Sequence, residues 1–285
     1  LTWGWSKFPK WMPAFKPIPV IAALGILATL TWRAALSAPD GRLHLTLFDV
    51  GTGDALLIQT PSGRYALIDG GPSASLLSNA LGRRLPPFHR EVDWLIVAGT
   101  STEQVGALPR ALERFPPNSV LLSGPESPNR SADYLRETLT EMKIPITQAK
   151  PGHSLNLGDG VSLRVLTTGP RGAILLLEWE NFRALLPLGA HEDDYENLRM
   201  GKNIGPVTAL VLAENGYAPL NPPDWINTLN PQLVLLSVAA DDRNGRPDAA
   251  TLEALGGYSL LRTDQHGWID ISTDGQHMWV EIEEK

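Results

Sequence analysis

The side chains able to do chemistry in this chain are carboxylates set at turns and histidines set far apart. Asp49, Asp54 and Asp69 lie in FDVGTGDALLIQTPSGRYALIDGG, two strand–turn units whose glycines, Gly51 and Gly53 among them, allow tight backbone turns. Taken alone, DVGTGD reads as a hairpin turn with Asx-type hydrogen bonds. The histidines are His44, His89, His153, His191, His266 and His277, and no two are spaced i,i+2 or i,i+4. No pair is therefore set to grip one metal ion from a single turn. There is no cysteine, which removes thiolate metal sites, disulfides and thiol nucleophiles together. No GxSxG elbow, P-loop or dinucleotide fingerprint occurs. One stretch has the outline of an active-site loop without its ligands: Leu95 to Leu108, LIVAGTSTEQVGAL, an apolar strand running into a small polar turn and a helix start.

The elements that must position these residues alternate between strand and helix patterns. Strand composition marks 43–50, 55–60 and 64–69, a meander whose turns are GTGD and PSG. A helix at 74–85, a strand at 94–98, a helix at 103–114, a strand at 119–122 and a helix at 131–142 follow. The second half repeats the theme, with strands at 162–168, 173–179, 182–188, 207–212 and 232–238, helices at 191–199, 223–229 and 248–255, and three short strands at the end. Two such halves predict an α/β fold with two sheets packed face to face and helices outside.

The start of the chain differs in kind. Pro17 to Trp32 carries no charge, and apolar character resumes at Ala34 after the single Arg33. If Arg33 snorkels, the span approaches the thickness of a hydrocarbon core, and Trp3, Trp5, Trp11, Phe15 and Trp32 supply interfacial aromatics. The expectation is one transmembrane helix at 17–37, a juxtamembrane segment at 1–16 ending a longer upstream part, a linker at 38–42 and a globular domain at 43–285. A cleaved signal peptide competes, with Lys7, Lys10 and Lys16 as its basic region and Ala35 and Ser37 as small cleavage-site residues. The chain begins at Leu1 with its first Met at Met12, which favours a piece of a longer protein. Those three lysines place the N-terminal side in the cytoplasm and the large domain on the extracytoplasmic side of the cell membrane. The net charge of −7, from 24 Lys plus Arg against 31 Asp plus Glu, opposes strong attraction to phosphate backbones.

The motifs DVGTGDALLIQTPSGRYALIDGG, VDWLIVA with GTSTEQVGALPRAL, NFRALLPLGAHE, VTALVLAENG, QLVLLSVAADDRNGRP and LLRTDQHGWIDISTDG occur in an order that resembles the C-terminal metallo-β-lactamase-fold domain of ComEC-type competence proteins. The resemblance covers about residues 17–283. It implies a four-layer αββα sandwich, preceded by a membrane helix and an upstream channel part for single-stranded DNA. In that family the domain is a nuclease on the strand that is not imported, using two zinc or manganese ions.

Carried over position by position, the resemblance also implies that the metal site is lost. The HxHxDH ligands fall on Gly99, Ser101, Glu103 and Gln104, and the bridging aspartate falls on Gly189. A histidine pair falls on Glu214 and Asn215, and a last histidine on Arg246. Neither Gly nor Ser replaces an imidazole ligand. His191, two residues past the bridging station, is expected to be a surface cap. Asp49, Asp54 and Asp69, with Gly51 and Gly53, are retained frame residues, and Asp69 is expected to orient the loop by hydrogen bonding. Thr100, Ser101 and Thr102 are expected as small polar fillers, and Arg246 with Glu214 as an ion pair where the metals once sat. A rival places Mg²⁺ or Mn²⁺ on oxygen ligands from Asp69, Glu103, Asp193 and Glu214, giving an active phosphodiesterase.

The expected protein is thus a catalytically degenerate domain with no metal cofactor and no catalytic residues. It would be structural, or position DNA or partner proteins at the channel mouth of a DNA-uptake protein. Its expected partners are the membrane, the upstream channel part and, weakly and with salt sensitivity, single-stranded DNA. Other competence proteins are not specified.

Overall fold

The computed structural model describes residues 17–36, 39–86, 89–125 and 129–283, with side chains from residue 19 to 32 in the first of these. The expected segment 1–16 lies outside the described residues, as do residues 37 and 38. The chain divides into two compact units, Leu1–Ala38 and Pro39–Lys285. Pro39–Arg42, expected as linker, belongs to the second.

In the first unit a helix, α1, runs over Pro17–Leu36. Among the described residues, however, no helix is long and apolar enough to cross a membrane, and the expected transmembrane helix is corrected accordingly. Its uncharged run of 16 residues is about 24 Å long at 1.5 Å per residue, short of a ~30 Å hydrocarbon core. Thr29 and Thr31 dilute it further, their hydroxyls donating back to carbonyls one turn earlier.

The second unit runs β1 (Leu43–Leu47), β2 (Ala55–Gln59), β3 (Tyr65–Asp69), α2 (Ala74–Arg84), β4 (Val92–Val97), α3 (Thr102–Val105), α4 (Leu108–Leu112), β5 (Pro117–Leu122), α5 (Arg130–Glu141) and β6 (Ile146–Gln148). It continues with β7 (Ser154–Gly158), β8 (Val161–Gly169), β9 (Gly172–Trp179), β10 (Phe182–Leu186), α6 (Glu192–Asn197), β11 (Ala209–Val211), α7 (Pro223–Leu229) and β12 (Leu233–Leu236). The last elements are α8 (Ala249–Ala254), β13 (Leu260–Arg262), α9 (Thr263–His266), β14 (Ile269–Thr273) and β15 (Met278–Ile282). The single helix expected at 103–114 is instead α3 and α4, broken where Gly106 and Ala107 precede Pro109, whose ring cannot continue the α3 ladder. The polar strands β6 and β7 were not expected, because neither shows a buried-face alternation long enough to stand out.

Two mixed sheets result, ordered β15-β14-β1-β2-β3-β4-β5-β6 and β13-β12-β11-β10-β9-β8-β7. Each combines an antiparallel meander with a parallel run, β3 to β6 in the first and β10 to β13 in the second. One apolar cluster contains residues of both sheets, including Leu45, Ile58, Leu163, Leu175 and Leu186. A second lies between the first sheet and α2, α4 and α5, and a third between the other sheet and α6, α7 and α8. The architecture is therefore four-layered, helices–sheet–sheet–helices. Strand β4 shows the alternation that builds it, with Ile96 in the central cluster and Leu95 and Val97 under the helices.

Leu175 is fully buried in the central cluster, whereas Leu252 on α8 is 38% exposed. Leu175→Ala should lower stability by about 2–5 kcal/mol and Leu252→Ala by less than about 0.5 kcal/mol, read as shifts in the urea unfolding midpoint.

Candidate functional site

The carboxyl ends of the parallel strands carry the loops where an open α/β sheet presents its chemistry. Asp69 closes β3 in the left-handed region at φ 54, a strained conformation held by its surroundings. Its Oδ1 accepts the backbone N–H of Ala98 at 2.8 Å, and its Oδ2 accepts that of Gly99 at 3.0 Å. One fully buried carboxylate thus fixes the turn that follows β4.

Asp54 precedes Ala55, the cross-strand partner of Asp69, so the two acids are neighbours. Burial pushes the Asp54 carboxyl up to about 7; a hydrogen bond from Gln104 opposes the rise and the charge of Glu103 adds to it. Its Oδ1 is buried and has no hydrogen-bond partner among the described residues. Burial, followed by the charge of Asp54, also drives Asp69 well above the ordinary carboxylate range, against the two N–H donors.

The space between these acids and the second sheet is filled. The side chain of Gln104 lies where a side chain on Gly99 would stand, its Oε1 1.9 Å from the position a Cβ would take. That oxygen accepts from the Ser101 hydroxyl at 3.1 Å, while Nε2 donates to the Leu188 carbonyl at 2.7 Å, across to the other sheet. A Cβ on Gly189 would lie 2.3 Å from Ala173 N and 2.5 Å from the Ala98 oxygen. Backbone takes the place of side chains here: Ala173 N–H donates to Ala98 O at 2.7 Å, Gly189 N–H donates to Ala173 O at 3.0 Å, and Gly99 bridges Gly172.

The remaining stations have separate structural work. Asn215 donates to the Ser237 carbonyl at 3.1 Å, and Glu214 is ion-paired with Arg171. Arg246 pairs with Asp248 and lies 4.2 Å over the Tyr217 ring, which corrects the expected Arg246–Glu214 pair. The physical reason is local, since Asp248 is two residues away and needs no loop closure to reach. His191 caps α6, accepting from Asp193 N at 3.5 Å. Thr100 donates to the Arg171 carbonyl and Thr102 shares a hydrogen bond with Ser131, so they are tethers rather than fillers.

The four-carboxylate set is not brought together either. Asp69 is buried, Asp193 is exposed beside His191, and Glu214 belongs to Arg171. Among the described residues no group of three or more His, Asp or Glu side chains could hold a metal ion. The residues present thus do not fit a two-metal centre: imidazole donors are missing from the turn after β4, the Gln104 carboxamide fills the space before Gly99, and backbone leaves no volume for a side chain at Gly189.

No protein-family model and no curated protein matches the chain. Solved structures do. The CmlA β-hydroxylase in its E377D form aligns with TM-score 0.54 at 13% identity over 83% of this chain and 54% of its own; wild-type CmlA is a diiron enzyme of Streptomyces venezuelae. This chain spans about half the length of that protein. Zinc-bound PqqB from Methylobacterium extorquens aligns with TM-score 0.51 at 10% identity over 77% of this chain and 97% of its own. A Parabacteroides distasonis protein, a metal-dependent hydrolase by name only, aligns with TM-score 0.51 at 11% identity, covering 78% of this chain and 94% of its own. At these identities the likeness shows the fold, which is the metallo-β-lactamase fold.

Sequence reasoning missed the Gln104 plug, although two signals were present. Ser101 and Gln104 have the S-x-x-Q spacing of a capping box, and Gly99, five residues before Gln104, leaves space into which a long side chain can fold. Gly99→Ala should cost about 1–3 kcal/mol, and clearly less in a Gln104→Ala background, because the Cβ collides with that carboxamide. Gly189→Ala should gain no relief from Gln104→Ala, since it meets backbone; chemical denaturation of the three single and two double variants checks both statements.

A pH dependence follows from Asp54. Its folded pKa is raised from 3.8 to about 7, so the protonated acid binds its proton more tightly when folded. The stability this contributes is full below pH 3.8 and is lost as pH rises through about 7. Asp54→Asn should therefore gain stability relative to wild type between pH 4 and 8, and a pH-independent difference would contradict the assignment.

Proposed function

We propose that this metallo-β-lactamase-fold chain is a catalytically degenerate domain of the ComEC type, which positions DNA or partner proteins beside a membrane channel instead of hydrolysing a substrate. The observation that supports this reading best is the filled site. Gln104 occupies the volume in front of Gly99, and Ala98, Gly172 and Ala173 close over Gly189. A hydrolase needs a cavity in which a nucleophile and a scissile group meet, with reacting atoms about 3–3.5 Å apart. A tight backbone seam favours a scaffold.

Location at the membrane, on the extracytoplasmic side, belongs to the same proposal. Ile21, Leu24, Ile26, Leu27 and Trp32 of α1 are each more than half exposed. Such a surface is more stable against lipid or the upstream channel part than in water.

The competing reading is an active metal-dependent phosphodiesterase built on oxygen ligands. It draws support from one feature, the partnerless Oδ1 of buried Asp54 beside Asp69. The two readings separate cleanly on the full chain incubated with Zn²⁺, Mn²⁺ or Mg²⁺. The expected outcome is less than a tenth of an equivalent of bound metal per chain and no hydrolysis of single-stranded DNA. Stoichiometric metal with turnover that Asp69→Ala abolishes would establish the enzyme and end the degenerate reading.

A further inference from the structure

Away from the closed site, the start of α2 and the α4 region border a groove of about 900 Å³. Arg90, Arg110 and Arg114 line it from three places in the chain: the segment before β4, the middle of α4 and the residues just after α4. All three are exposed, and none has an ion-pair partner among the described residues. That sets them apart from arginines such as Arg171, Arg183 and Arg262, which are committed to Glu214, Glu178 and Asp264. Arg114 reaches across to α2, its Nη2 3.8 Å from where a Cβ on Gly82 would stand. The lining also includes Ser73, Ser75 and Ser78 at the first turns of α2, an 11-residue helix whose N-terminus has no acidic residue. Glu113 is the one carboxylate in the lining.

Three fork-shaped cations sharing a groove with hydroxyls and a helix N-terminus suit oxyanions, phosphate above all, since guanidinium matches its oxygens two at a time. The mouth beside the closed site has the opposite sign, being lined by Glu103, Asp241 and Asp242 with one Arg243. A polyanion would be repelled there and attracted to the groove. Only Pro72 and Ala74 are apolar in the lining, so the groove lacks the large apolar anchors that hold a protein on a lipid surface.

We infer that the groove of Arg90, Arg110 and Arg114 is a phosphate-binding surface that seats the backbone of single-stranded DNA on the outer helix layer, not at the closed site. It rests on the proposed function and names where the strand lies. Phosphodiester and free phosphate share this chemistry, and the test separates them. Binding of a fluorescent 30-mer of deoxythymidine to the full chain is followed by anisotropy as salt is raised. The triple variant Arg90→Gln/Arg110→Gln/Arg114→Gln should bind at least tenfold more weakly, with a slope of log affinity against log salt shallower by about 2, at roughly 0.7 per phosphate contact. The matching triple Arg→Lys variant should retain that slope, which guards against a fold defect in the first. Lys202→Gln, elsewhere on the surface, should leave binding unchanged.

Inorganic phosphate in the millimolar range should compete with the oligonucleotide. Competition by phosphate with no oligonucleotide binding would overturn the strand assignment in favour of a small phosphate ligand. Arginine-dependent binding to phosphatidylglycerol vesicles, with none to the oligonucleotide, would overturn it in favour of lipid. Equal binding by wild type and triple variant without cleavage sinks the groove alone, whereas cleavage of the oligonucleotide by wild type sinks the degenerate reading instead.

Discussion

The carboxamide of Gln104 ties the ends of two sheets together. From a capping position on α3 it reaches the Leu188 carbonyl of the second sheet, and it has room to do so because residue 99 is a glycine. A neutral amide is well suited to that place, since it satisfies a donor and acceptors in the interior without adding charge beside Asp54 and Asp69. Once the amide is seated, Gly172 and Gly189 can bring backbone against backbone, and the site closes as a hydrogen-bonded seam.

Closure moves the electrostatic interest of the domain elsewhere. Two buried acids remain behind the seam, one of them strained in the left-handed region and doing the mechanical task of holding the β4 turn. Outside it, the acidic residues around Glu103 and the arginines around the start of α2 divide the surface into regions of opposite sign. A net charge of −7 averages over that division and hides it.

Fold class was legible because it rests on pattern. Alternating burial in strands such as β4, and glycines at turns such as Gly51 and Gly53, are local properties that the chain displays in order. The absence of closely spaced histidines was legible for the same reason. Interactions set by three-dimensional approach were not. Nothing in the order of residues says that Arg171, rather than Arg246, would reach Glu214, because that choice depends on how the β8–β9 turn folds over the first sheet. The three groove arginines lie up to 24 positions apart and converge only after α2 and α4 have packed on one sheet. For α1 the apolar composition was legible, whereas among the described residues no helix is long and apolar enough to cross a membrane, its uncharged run ending at Arg33.

The meeting of Ala98, Gly172, Ala173 and Gly189 leaves less than van der Waals room for any new side chain at position 189. Any side chain introduced there would meet a folding penalty before it brought a metal ligand within reach of a partner. On the proposed degenerate reading the seam would act as a ratchet: with the two backbones in contact, sterics at residue 189 oppose a return to a metal site and leave the surface as the part free to change.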